Sequence, residues 1–143
     1  MRRAAIAAPW WHPSPLIREW NTRRAELLAR LAAAAGFEPV CVHRALMDAG
    51  TDDDADPEAR ARGLERTCAT IREIAREKGG AMWGLCLDSL RLTEGCIVER
   101  GAWVAERPKE RAWQWSTSWN GYRPRMERAG LLPEWQALVV PPC

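Results

Sequence analysis

The densest chemical signal in the chain is the stretch LDSLRLTEGCIVERGAWVAE, residues 87–106. An apolar run ends at Leu87, and Asp88 and Ser89 follow it. Thr93 stands where a helix would be capped, Gly95 falls in its first turn and Glu99 in its second. Gly95 leaves that first turn bare, so a ligand can approach the backbone. The free N–H groups of a helix start attract anions. Helical side chains lean toward the N-terminus, so the Glu99 carboxylate can reach back toward the strand end, where the positive helix end favours it. A carboxylate beside a sugar-binding crevice is equipped to attack an anomeric carbon. The competing reading is a solvated glutamate beside Arg100 on an amphipathic helix. His43 ends a second apolar run, two residues after Cys41. With His12 it could form a metal trio, but the spacing fits none of the common zinc patterns, and a hydrogen-bonding crevice histidine is the better reading. Pro9, Trp10 and Trp11 end a first apolar run, and the two indoles offer flat surfaces for a nucleobase. No metal or organic cofactor is called for.

These residues need elements to hold them. Ala4–Ala8 reads as a buried first strand, and Trp10–Pro15 as a loop. A helix then runs to Ala35, with Trp20, Leu27, Leu28, Leu31 and Ala35 on one face. Its cap is either Ser14 ahead of Pro15 or Asn21, and Gly36 ends it. Phe37–His43 reads as a second strand. After a loop with an acidic run at Asp52–Asp54, Asp56-Pro57 opens a second helix, whose buried face is Leu64, Cys68, Ile71 and Ala75. Gly79-Gly80 stops it. Ala81–Leu87 is a fully apolar third strand, and the helix after Thr93 runs to about Glu106.

This alternation predicts one α/β domain over residues 1–143. It is a doubly wound, mostly parallel sheet of the Rossmann-like or flavodoxin-like kind, with about five strands and flanking helices. In such sheets ligands bind at the carboxyl ends of the strands, which is where Trp10, His43 and Asp88 fall. Residues 109–143 form a Trp-rich extension. It carries Trp113, Trp115, Trp119 and Trp135, a turn at Asn120-Gly121, and a Gln136–Val140 run that reads as an edge or final strand. Core or interface packing is the expected use of these indoles.

Composition narrows the function classes. The net charge is +2, from 21 basic and 19 acidic residues, too balanced for a protein that coats polymeric nucleic acid. No apolar stretch is long enough to span a membrane. The opening MRRAAIAAPWW has a basic tip, but Pro9 cuts its apolar run short of a secretory signal, so the chain reads as cytoplasmic. Five cysteines without a C-x-x-C argue against a disulfide framework or zinc ribbon. Nine of the eleven aromatic residues are Trp, with one Tyr and one Phe.

Four blocks in order carry a family resemblance: IAAPW, NTRRAELLARLAAAAGFEPVCVH, DPEARARGLE and MWGLCLDSLRLTEGCIVERGAWVA. Together they span about residues 4–107 and resemble the nucleoside 2-deoxyribosyltransferase-like superfamily, including its phage and bacterial members. The resemblance implies that Glu99 is the nucleophile and that Thr93 contacts the sugar or phosphate. It implies that Asn21 and the Pro9–Trp10 turn belong to the pocket, and that active sites assemble in a homodimer or larger homo-oligomer. The implied activity is N-glycosidic bond chemistry on a nucleoside or nucleotide; for that chemistry the residues at the strand ends that could handle the proton of the base are Asp88 and His43. Two departures stand out. Trp10 replaces the family's usual Tyr, and EKGGAMW lacks the Asp that transferases carry near the third strand. The alternative expectation is therefore a nucleotide-binding or sequestering protein on the same scaffold. A third is an interaction module working through its Trp-rich tail.

Overall fold

The computed structural model describes residues 1–44, 56–85, 94–109 and 116–142. Among these residues ten elements follow in chain order: β1 (Arg3–Ala7), α1 (Pro15–Ala34), β2 (Glu38–Cys41), α2 (Pro57–Arg76), β3 (Ala81–Leu85), α3 (Glu94–Glu106), β4 (Ser116–Thr117), a 3-10 turn (Trp119–Tyr122), α4 (Arg123–Arg128) and α5 (Leu132–Gln136). The four strands form one sheet in the order β2-β1-β3-β4, every pair parallel.

Local sequence explains the boundaries. Pro15 and Pro57 each occupy the first turn of a long helix, where the missing N–H costs nothing. Asp56 caps α2 by accepting the Glu58 N–H at 3.0 Å. Of the two candidate caps for α1, the position belongs to Ser14, although its side chain makes no capping bond; Asn21 lies well inside the helix. Gly36 ends the α1 segment at φ +90°, a conformation that favours glycine. At Gly80 a Cβ would stand 2.1 Å from the Ile74 carbonyl oxygen, so only glycine fits between α2 and β3.

β1 is central and made of small apolar residues, which lets helices close on both of its faces. Ala4, Ile6 and Ala8 join a cluster with Leu27, Leu28 and Leu31 of α1. Ala5 and Ala7 join another with Ile71 and Ile74 of α2 and Ala102 and Trp103 of α3. The alternation is that of a strand buried on both sides. Right-handed crossovers account for the division: the chain moves one way along the sheet from β1 to β2 and back the other way to β3 and β4. Arg3 pins β1 to the end of α2 through Glu77 and Glu73. The α1 stripe takes in Ala25 and Ala32, whereas Ala35 is exposed.

α1 covers the first face only over β2 and β1. The tail covers the rest. Trp119 and Trp135 stack with centroids 6.4 Å apart, and each indole N–H donates to the other residue's backbone carbonyl, at 3.2 and 2.9 Å. The Tyr122 hydroxyl donates to the carbonyl of Gly84 in β3. Trp119, Tyr122, Met126 and Trp135 are all buried in the cluster with β1 and α1.

The sheet is smaller than the expected five strands: among the described residues three are full length and β4 has only two residues. The Gln136–Val140 run is not a strand. Pro133 presets a first helical turn, α5 consumes Gln136, and Val140 is 76% exposed with no strand beside it. No helix among the described residues is long and apolar enough to cross a membrane.

Candidate functional site

α1, α2 and α3 each follow a strand of the parallel sheet, so their first turns lie toward its carboxyl edge. Beyond β2 the pairing continues by one bond, from the Val42 N–H to the Ile6 carbonyl at 3.2 Å. His43 follows immediately, at the strand end expected for it. Glu99 lies in the second turn of α3, which approaches the same edge from the other side of β1. The two side chains meet, with His43 Nε2 3.3 Å from Glu99 Oε1. Glu99 is only 5% exposed, and His43 is largely covered.

A buried carboxylate is costly unless a donor answers it. His43 Nε2, 3.3 Å from the carboxylate, is the partner that answers it, as an ion pair when the imidazole carries both protons. The pair is backed by α2, where the Cys68 thiol contacts the Val98 carbonyl at 3.9 Å. Burial first, and then the negative charge of Glu99, push the Cys68 thiol above its ordinary range. That thiol stays protonated near neutrality and serves as packing rather than as a nucleophile.

Asn21 works on the opposite wall. It is buried within α1 and donates from Nδ2 to the Trp10 carbonyl at 3.2 Å, which fixes the turn leaving β1. Pro9, Trp10 and Trp11 follow that strand and remain partly buried. His12 is exposed, and its Nδ1 accepts the Ser14 N–H at 2.9 Å, so it belongs to the loop. Among the described residues no three His, Cys, Asp or Glu side chains gather as a metal site. Gly95 lies in the first turn of α3. Asp88, Ser89 and Thr93 lie outside the described residues.

The structure thus joins Glu99 to His43 and Asn21 to Trp10, two links among residues that the sequence singles out separately. It also shows two features that the sequence did not announce. Cys68 backs the Glu99 carboxylate. The Arg24 guanidinium lies between two indoles, 4.0 Å from the Trp20 centroid and 4.4 Å from that of Trp119. Helical spacing puts Trp20 and Arg24 one turn apart, but nothing local points to Trp119. Comparison with known proteins finds no match: no family model, no curated protein and no solved structure aligns with this chain.

Proposed function

We propose that the protein is an enzyme acting on the N-glycosidic bond of a nucleoside or nucleotide, with Glu99 as nucleophile. The observation that carries the reading is the buried Glu99–His43 pair at the carboxyl edge of a parallel sheet. Helix faces are not furnished with buried carboxylates for stability, and a paired, shielded one at a strand-end crevice suits covalent chemistry. The strand order supports the scaffold part of the reading: β2-β1-β3-β4 coincides with the first four strands of a flavodoxin-like sheet.

In this mechanism one Glu99 oxygen bonds to the anomeric carbon as the carbon–nitrogen bond breaks. The electron pair leaves with the base, which takes a proton from His43 or Asp88. Water, or a second base, then attacks the glycosyl ester. Its proton returns to the general acid, and the Glu99 carboxylate is released. Trp10, held through its carbonyl by Asn21, stacks on the base. Thr93 and the bare turn at Gly95 hold the sugar or its 5′ group.

The test is incubation with a panel of nucleosides and their monophosphates, following free base by chromatography and the protein by intact mass. The expected result is base release, a glycosyl adduct on the protein, and loss of both in Glu99→Gln. Saturable binding without base release, unchanged in Glu99→Gln, overturns the enzyme reading and establishes nucleotide binding alone.

A further inference from the structure

The first face of the sheet has a seam. α1 covers β2 and β1, while Tyr122 anchors the tail over β3. Between the end of α1 and α4, Ala34, Ala35 and Ala129 leave space unfilled. The resulting cleft has a volume of about 370 Å³, within the range of small-molecule sites. Leu31 and Ala34 form one wall, Ala129 with Arg125 and Arg128 the other, and Trp83 of β3 lies between. The end of α1 that lines this cleft is the end remote from Pro15, and the face is the one opposite α2 and α3. The cleft is therefore separate from Glu99 and His43.

Its chemistry is specific. Trp83 is braced by the edge of Phe37, with ring centroids 5.9 Å apart at 67°, and Phe37 is covered in turn by Arg2. Arg125 is half-buried, its guanidinium 5.9 Å from the Trp83 centroid and 5.8 Å from that of Tyr122. Arg128, one turn from Pro124, is exposed. Neither arginine is in an ion pair among the described residues, although Glu127 lies between them in sequence. Two guanidiniums without carboxylate partners, set on one wall of an apolar cleft with an indole inside it, match an anionic group joined to a flat ring.

We propose that this cleft is a second small-molecule site, taking a flat aromatic ring that bears a carboxylate or phosphate. The ring lies on Trp83 and the alanine-lined wall, and the anion bridges Arg125 and Arg128. The site is independent of the glycosidic reading.

The test uses 2-naphthoate, 2-naphthyl phosphate and uncharged 2-naphthylmethanol as probes on the full chain. Titration calorimetry gives affinity, and the Trp83 indole N–H resonance, assigned with Trp83→Phe, gives location. The expected result is that at least one anion binds ~10-fold or more tightly than the alcohol and shifts the Trp83 signal. Whichever anion binds tighter identifies the group preferred. Arg125→Gln/Arg128→Gln should bring the anions down to the alcohol's affinity, while Glu99→Gln leaves all three unchanged. Arg128→Gln alone, at an exposed position, should weaken the anions severalfold and serves where the double variant melts early. Equal affinity for anions and alcohol, a preference that survives loss of the arginines, or shifts confined to other indoles overturns the proposal.

Discussion

A carboxylate on a helix that also buries Ala102 and Trp103 is out of place by composition and in place by chemistry. Glu99 is shielded and its partner is an imidazole, and on the proposed reading the pair sets the rate of base release. His43→Ala should lower the rate of base release by about 100-fold, the usual weight of one positioned acid–base group. The melting temperature should fall as well, because Glu99 is left buried without its partner, and a loss confined to KM would show that His43 only shapes the pocket. Cys68 gives a pH test with a definite sign. Its thiol is raised by burial and by Glu99, so the folded state holds its proton longer than the unfolded chain does. The associated stability is complete below the ordinary thiol range and is lost as pH rises through that range and beyond it. Native protein should therefore resist iodoacetamide at Cys68 near pH 8, and Cys68→Ala should flatten the alkaline fall in stability seen by thermal unfolding. The sequence shows Glu99 and His43 as separate candidates, since each follows from a strand end or a helix start. Their meeting depends on which strands are neighbours, which no local pattern encodes.

The elements divide in the same way. The bounds of α1 and α2 were legible because they are set by neighbours in sequence: Pro15, Asp56 with Pro57, Gly36 and Gly79-Gly80. The tail was not. An apolar run at Gln136–Val140 reads as a strand, but Leu132-Pro133-Glu134 starts a helix just ahead of it, and the partner that holds Trp135 is Trp119. Trp135→Ala should cost about 3–5 kcal/mol in denaturant unfolding, since it empties a buried site and leaves the Trp119 backbone carbonyl without its indole N–H donor. Tyr122→Phe should cost about 1–3 kcal/mol, because the Gly84 carbonyl loses its donor inside the core. A near-neutral Trp135→Ala would mean that the tail detaches readily, reviving its reading as an interaction surface.

For the whole molecule, the alternation of β1 between two clusters establishes an α/β sheet covered on both faces, which the strand–helix rhythm of the sequence already implied. The strand count was overread, because the Trp-rich tail supplies cover for β3 instead of another full strand. That arrangement also sets an order of assembly. β1 is the sheet's second position, and its partners are spread along the chain: Arg3 pairs with Glu38, and Ala4 with Ala81. During synthesis at ~5–20 residues per second, the first strand to leave the ribosome waits several seconds for its second neighbour. Until then Ala4–Ala8, which is buried to the last residue in the finished protein, keeps at least one edge open, and its faces stay bare until α1 and α2 have emerged. Its small side chains give nascent β1 little apolar surface for misplaced contacts, so the same composition that lets helices close on both sides also protects the newborn chain.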